Sequence, residues 1–421
     1  MSKNSFQINI NTEILSKLRN KINEEQNISF NKKFEDKNNK THRAWDKICA
    51  IMDRLDDTVD YLNQLELNTG KYRRSAFDFF DFMNNAAVVM DCISSLEEIF
   101  NVPDEENKTS TYIFNSAGKN GNGTDKKYFE YLRSLCSVHP IETSRHKNTY
   151  QQNDFECSPY VIWNSENLWT NNDSDLHVVV YTSKEEYSTR RVNICIDEIF
   201  TYINKRVNFI ETIIVYIDKY QKEIIKSYIN TPIKKEEDFT SYRDYLKNLE
   251  KEAKERRGDL SYYNFNYIIK LLELGLLNIN NQDKMNSYIN ALKYATKFEH
   301  NSIQNMKYEG FENNGLLCPK EGLEVPLLEE LVYPYSHSIE VNKYVYNLEK
   351  IQYLNSNNYC GDDIKWAYKQ LKDMLPFLEK YVSFEGAKSN FENYALVMLA
   401  LYLDCLENDC IINDNIPMNL R

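Results

Sequence analysis

The chain has 421 residues, of which 63 are acidic and 51 basic, so its formal net charge is −12 at pH 7. Only 11 residues are glycine, and neither G-x-G-x-x-G nor G-x-x-x-x-G-K-[ST] occurs, which excludes the common glycine-based nucleotide sites. Apolar residues make up 42% of the chain, enough for a sizeable core, and the length favours two domains. The acidic balance by itself argues against a nucleic-acid partner.

The N-terminal residues lack the apolar run of a secretory signal, and no stretch reaches the roughly 18 apolar residues of a membrane-spanning helix. Nine cysteines without a C-x-x-C pair indicate reduced thiols rather than a disulfide framework. We therefore expect a cytoplasmic protein that does not bind a membrane.

Most of the chain shows apolar residues spaced three and four apart, which predicts a mainly α fold. Residues 1–41 are polar and are predicted to form an N-terminal extension with one helix at about 12–24. A first domain at 42–232 is predicted to contain helices at about 42–62, 72–100, 125–138 and 193–229. After a linker at 231–238, a second domain at 233–421 is predicted to be all-helical, with helices at about 239–257, 260–278, 281–308, 337–356, 361–382 and 388–410 and a glycine-containing loop at 309–326.

Two segments of the first domain are predicted not to be helical. Residues 116–124, SAGKNGNGT, contain three glycines and predict a mobile loop. Two β-like runs at 160–163 and 176–182, joined through the turn-rich NNDSD, predict a small β-hairpin insertion near 159–182. The third helix should stop before Pro140, because a residue that precedes proline is pushed out of the helical region. His139 should therefore stand at the C-terminus of that helix or just beyond it.

The segment 128–146, YFEYLRSLCSVHPIETSRH, is the one whose residues suggest a specific chemistry. Arg133 and His139 are separated by five residues at the end of the predicted third helix. This R-x(5)-H arrangement resembles the HEPN superfamily of RNases, whose pattern is R-x(4–6)-H, and the resemblance covers about 42–232. It implies a HEPN-like four-helix bundle, metal-independent cleavage of RNA without a cofactor, and a homodimer that brings two motifs together. Ser134 departs from the Asn, Asp or His that often follows the arginine in that family.

These residue types suit cleavage of RNA by its own 2′-OH. Such cleavage needs a base for the 2′-OH, an acid for the leaving 5′-oxygen, and positive charge beside the phosphorane. A histidine can act as base or acid near neutral pH, and the helix dipole would favour protonated His139; a permanently charged guanidinium suits the phosphorane oxygens. One chain supplies one such pair for two proton transfers, so we expect a two-fold dimer with the site at its interface. The product would be a 2′,3′-cyclic phosphate, and DNA would not be cut.

The charge around the motif is opposite in sign to that of the whole chain. Residues 126–150 contain five basic and two acidic side chains, a net charge of +3 before the histidines are counted. We expect contact with RNA to be confined to one positively charged cleft. The substrate-binding residues predicted there are Lys126, Lys127, Ser134, Arg145 and His146. The resemblance also implies a toxin or abortive-infection effector of antiviral defence, regulated by an antitoxin or a phage-derived trigger.

The sequence leaves alternatives open. The main one is a non-enzymatic helical module for protein interaction, in which Arg133 is a surface residue and His139 caps its helix. A second alternative is a thiol nucleophile, Cys136, with His139 as its base. Side chains this close in sequence rarely form the geometry that nucleophilic attack requires. The aspartates between 53 and 60 favour a solvated acidic face over a metal site, because di-metal bundles also use Glu-x-x-His and no histidine here has that pattern. Three further histidines are predicted to be structural: His177, His300 and His337. The 31 tyrosines are spread through both halves of the chain, and most are predicted to be core or surface aromatics.

Overall fold

The structure is a computed structural model that describes most of the chain in segments. The described residues are 5–24, 44–70, 76–138, 142–152, 154–164, 174–182, 189–257, 265–275, 278–307, 327–334, 341–355 and 360–408. The fold is mainly α with two small antiparallel sheets, as the sequence predicted at this level. Its described residues divide into two compact units, one ending at residue 223 and the other beginning at residue 224, and each has its own hydrophobic core.

The N-terminal residues belong to the core of the first unit rather than to a separate extension. Strand β1 (Ser5–Phe6) pairs with β2 (Leu67–Asn68), and helix α1 (Glu13–Glu24) follows β1. Ile14, Leu18 and Ile22 are four residues apart on α1, and all three are buried. Such an apolar stripe on a short helix is stabilised by packing rather than by helix propensity, which is why the segment joins the first core.

Helix α3 (Phe77–Phe100) is the centre of the first unit. Half of its residues are buried, and it contacts α2 (Ala44–Gln64), α5 (Asp125–Arg133), the turn after α5, and α6 (Ile196–Asn208). The prediction of a central second helix is thus confirmed. The helices of the first unit that follow α1 are α2 (Ala44–Gln64), α3 (Phe77–Phe100), α4 (Glu105–Thr109), α5 (Asp125–Arg133), α6 (Ile196–Asn208) and α7 (Ile210–Asn230), whose last residues lie past the unit boundary.

A three-stranded antiparallel sheet stands where a hairpin was predicted. Its strands, β3 (Glu156–Trp163), β4 (Leu176–Thr182) and β5 (Thr189–Ile194), pair in the order β3-β4-β5. The third strand, β5, was not predicted because only two of its residues, Val192 and Ile194, are buried. The two positions directly before Val192 carry charged side chains. Alternation over so few apolar residues gives a weak strand signal.

The prediction of one long helix at 193–229 is wrong in detail. Its first residues belong to β5, and the rest form α6 and α7, which are separated at Phe209. The same spacing of buried isoleucines continues through both helices, so the apolar pattern does not mark the break. The helix predicted at 125–138 has these bounds, but only Asp125–Arg133 is α-helical, and the last turn, Ser134–Val138, is π-helical.

The glycine-rich loop at 116–124 is held by hydrogen bonds, contrary to the mobile loop predicted there. The Lys119 N–H donates to the Thr149 carbonyl, and the Gly123 N–H donates to the Ala117 carbonyl, both at 2.7 Å. Gly118 has a φ of +61°, and a Cβ at that position would stand 2.8 Å from the Thr149 oxygen. Glycine is needed here for close approach of two backbone segments rather than for flexibility.

The second unit is helical throughout its described residues, apart from its turns and loops. Helix α14 (Asn390–Glu407) has the most buried residues of its helices. The segment 231–238 is fixed to the unit and is not a free linker. Ile233 is buried there, and its N–H donates to Gln304 Oε1 at 2.7 Å. The predicted loop at 309–326 and His337 lie outside the described residues. The α-helices are α8 (Tyr242–Arg257), α9 (Phe265–Leu272), α10 (Ile279–Gln304), α11 (Leu327–Val332), α12 (Val345–Ile351), α13 (Gly361–Leu378) and α14 (Asn390–Glu407).

Within the part of the chain that the structure describes, none of the helices combines the length and the apolar character needed to cross a bilayer.

Candidate functional site

Helix α5 places Arg133 at the end of a well-anchored segment. Thr124 caps the helix, since its hydroxyl accepts from the Lys127 N–H at 3.2 Å. Asp125, in the first turn, accepts from the Ser110 hydroxyl at 2.6 Å and from two backbone N–H groups of the preceding loop. Phe129 and Leu132 are buried, so the register of α5 is set by packing.

The Arg133 side chain remains accessible. About a third of it is exposed (34%), and its Nη1 lies 3.4 Å from Oδ2 of Asp91 on α3, at the long end of hydrogen-bond distance. Asp91 is itself 67% exposed, so the contact is a surface ion pair of little energetic weight. An anionic ligand can therefore reach the exposed part of the Arg133 side chain.

The π-helical turn after Arg133 brings Ser134 against His146. The Ser134 Oγ lies 3.0 Å from His146 Nε2 and 3.0 Å from the Glu130 carbonyl. Ser134 is buried, whereas His146 is half-buried and packs edge-on against the Tyr131 ring, with centroids 5.4 Å apart. Two residues predicted as substrate ligands are thus in contact with each other.

The backbone around His146 is also held in place. Its N–H donates to Gln151 Oε1 at 2.6 Å, and Gln151 Nε2 donates to the Thr143 carbonyl at 2.6 Å. The His146 carbonyl accepts from the N–H groups of 149, 150 and 151. Burial lowers the pKa of His146, and the neighbouring Arg145 lowers it further, so the neutral imidazole predominates at pH 7.

A buried polar network joins α5 to the sheet. Glu156, at the start of β3, is fully buried, and its carboxylate accepts from the Tyr131 hydroxyl at 2.7 Å and from Arg190 Nη2 at 2.7 Å. Arg190, on β5, also donates to the Tyr131 hydroxyl. This network fixes the Tyr131 ring on which His146 packs. Sequence reasoning missed Glu156 and Arg190, because a charged residue at a strand end carries no local sign of burial.

The other predicted substrate ligands occupy different positions. Lys126 lies two turns before Arg133 on the same face of α5. Lys127 faces away from them, and its Nζ donates to the Asn122 carbonyl at 2.7 Å. Arg145 is exposed directly before His146.

His139 lies outside the described residues, so its part in the motif stays a prediction. Cys136 is unsuited to act as a thiol nucleophile with His139, because it is fully buried and burial raises the pKa of its thiol. Asp53 and Asp56 both pair with Arg19, at 3.0 and 2.5 Å. Among the described residues, no group of three or more His, Cys, Asp or Glu is arranged to hold a metal ion.

A polar cavity of about 200 Å³ lies between α4 and α6 of the first unit. Its charged lining is already paired internally. Arg206 is buried and pairs with both Asp104 and Glu97, and Lys205 pairs with Glu106 at 2.6 Å. The cavity therefore offers less uncompensated charge to a ligand than the end of α5 does.

Comparison of the chain with protein-family models, with curated proteins and with solved structures gives no significant match.

Proposed function

We propose that the protein is a metal-independent endoribonuclease of HEPN type, with Arg133 and His139 as its catalytic residues. The observation that carries this proposal is the accessible Arg133 guanidinium at the end of α5, beside the contact between Ser134 and His146. The helices α2, α3, α5 and α6 would correspond to the bundle of that family.

The proposed chemistry follows from the positive charge along this face of α5 and in the Arg145 segment. Arg133 would neutralise the phosphorane oxygens, and Lys126 and Arg145 would add positive potential for the RNA backbone. His139 would transfer a proton, and the RNA 2′-OH would displace the 5′-oxygen to leave a 2′,3′-cyclic phosphate. No step of this displacement requires a cofactor.

The test is incubation of the purified chain with total RNA in EDTA, followed by analysis of the new end groups. Wild-type protein should produce 2′,3′-cyclic phosphate ends, and Arg133→Ala and His139→Ala should each lower the rate at least about 100-fold. Arg243→Ala, which removes an exposed arginine of the second unit, is the matched control and should cut at the wild-type rate. An all-DNA substrate should remain intact. Full activity in both site variants would contradict the assignment.

The biological role proposed is that of a toxin or abortive-infection effector controlled by an antitoxin or a phage-derived trigger. Expression in bacteria should then arrest growth, and Arg133→Ala should abolish the arrest. Light scattering of the purified chain should give the mass of a homodimer. Toxicity that survives both site substitutions, in a protein that never cuts RNA, would instead favour the interaction module.

A further inference from the structure

We infer that His146 is a second proton-transfer residue of this site, acting as a general base through Nδ1 on an RNA 2′-OH. The inference deepens the proposed ribonuclease function and rests on it. It assigns to His146 a role in the reaction, beyond binding of the substrate.

The hydrogen bonds of Ser134 determine which nitrogen of His146 is available. The Ser134 hydroxyl has one hydrogen and lies 3.0 Å from each of two neighbours, the Glu130 carbonyl and His146 Nε2. A carbonyl only accepts, so both contacts are satisfied when the hydroxyl donates to Glu130 and the His146 Nε2–H donates to the Ser134 Oγ. The lone pair of the neutral ring is then on Nδ1.

The Nδ1 atom is open to a ligand. No described residue forms a hydrogen bond with it, and it is not among the buried nitrogens that lack a partner. The ring itself cannot turn freely, because Nε2 is hydrogen-bonded to Ser134 and the ring packs edge-on against Tyr131. Tyr131 is held in turn by Glu156 and Arg190. An oriented, neutral imidazole with one free lone pair is the arrangement that a general base requires.

The same contact brings two arginine-bearing segments together. Ser134 follows Arg133, with Cα atoms about 3.8 Å apart, and Arg145 directly precedes His146. In the proposed complex, an RNA phosphodiester bound to Arg133 and Arg145 lies beside the imidazole. The charged groups that act on His146 are Arg145, which opposes its protonation, and Glu156, which favours it. A single chain would then contain a base in addition to the R-x(5)-H pair.

The experiment is a comparison of His146→Gln with wild type on a single-stranded RNA oligonucleotide in EDTA. Glutamine keeps a donor for Ser134 but has no basic nitrogen, so kcat should fall about 100-fold or more. Binding of the 2′-O-methyl form of the oligonucleotide should stay within about twofold of wild type, because a general base adds little to ground-state affinity. His300→Gln is the matched control, since His300 is also half-buried with one ring nitrogen hydrogen-bonded, to Tyr245 at 3.1 Å. It should cut at the wild-type rate.

Two further measurements separate a base from a structural histidine. Added imidazole should restore part of the activity of His146→Ala. Nitrogen-15 NMR at pH 7 should show the Nε2–H tautomer of His146, and this reading does not depend on activity or on the folding of any variant. An Nδ1–H tautomer would overturn the inference.

The outcomes also distinguish this inference from the proposed function. Wild-type kcat in His146→Gln, together with an inactive Arg133→Ala, would remove His146 from the reaction and leave the ribonuclease assignment standing. If wild-type protein never cleaves RNA, both fall.

Discussion

Arg133 is accessible because the helix that carries it ends against the core and changes to a π-helical turn. The preceding residue, Leu132, is buried, and so are Ser134 and Leu135. The charged Arg133 side chain keeps its stem and Nε on the protein and is exposed over about a third of its surface (34%). Its neighbour Asp91 is then the first carboxylate that competes with RNA for that charge.

Asp91→Asn should tighten binding of RNA about two- to fivefold, because it removes a competing carboxylate worth at most about 1 kcal/mol. The free energy of unfolding should change by less than about 0.5 kcal/mol, since the pair is exposed. Fluorescence anisotropy with an uncleavable 2′-O-methyl oligonucleotide measures the affinity. The gain should shrink at high salt, because ions screen exposed charges. Asp362→Asn, an exposed aspartate of the second unit, serves as control and should leave binding unchanged.

At the residue scale, the sequence predicted several members of the site but not their contacts. Spacing and helix order pointed to Arg133, the position directly after that arginine pointed to Ser134, and the positive charge of 126–150 pointed to the segment that contains His146. The pairing of Ser134 with His146 depends on the path by which the chain comes back to the end of α5 after residue 138. The residue types near Ser134 do not determine that path. Glu156 and Arg190 were not predictable, because their importance comes only from burial beside Tyr131.

At the scale of elements, the three-stranded sheet supports the end of α5. Glu156 on β3 and Arg190 on β5 both bind the hydroxyl of Tyr131, which lies on α5. The sheet is therefore more than an insertion beside the helices, because its buried charges determine where the Tyr131 ring stands. Buried ion pairs are sensitive to the loss of one partner.

Glu156→Gln should lower the free energy of unfolding by about 2 to 3 kcal/mol, because it leaves the mostly buried Arg190 without its counter-charge. Tyr131→Phe should lower it by about 1 to 3 kcal/mol, because the hydroxyl makes two hydrogen bonds and its loss deprives the buried Glu156 and Arg190 of a partner. Denaturant unfolding followed by circular dichroism measures both. Glu211→Gln, on the exposed surface of α7, should change stability by less than about 0.5 kcal/mol. A Glu156→Gln variant as stable as wild type would show that the network does not hold the sheet to α5.

The errors in the predicted elements have a common physical cause. Apolar spacing reports which residues face a core, and it continues unchanged across Phe209 from α6 to α7. It is weak in β5, where few apolar residues are buried, and it says nothing about the backbone approach at Gly118. Helix ends and short strands are decided by tertiary contacts that the pattern does not contain.

At the scale of the molecule, the two units have separate hydrophobic cores. Leu96 and Leu249 are fully buried, one in each core. Leu96→Ala and Leu249→Ala should each destabilise their own unit by about 2 to 5 kcal/mol.

Differential scanning calorimetry should therefore show two unfolding transitions in the wild-type chain. Each variant should lower the midpoint of one transition and leave the other within about 1 °C, because separate cores unfold as separate cooperative units. A single transition that both substitutions lower equally would show that the two cores unfold together.

The amino-acid sequence by itself determined that the protein is mainly α, because the spacing of apolar residues is a local property that survives any arrangement of helices. It also pointed to Arg133 and to the positive segment around it, since charge and spacing can be read without coordinates. Only the tertiary structure decided that Ser134 holds His146, that Glu156 is buried, and that the N-terminal residues join the first core. Those outcomes depend on which distant segments meet, and burial and hydrogen bonding between such segments arise only when the chain has folded.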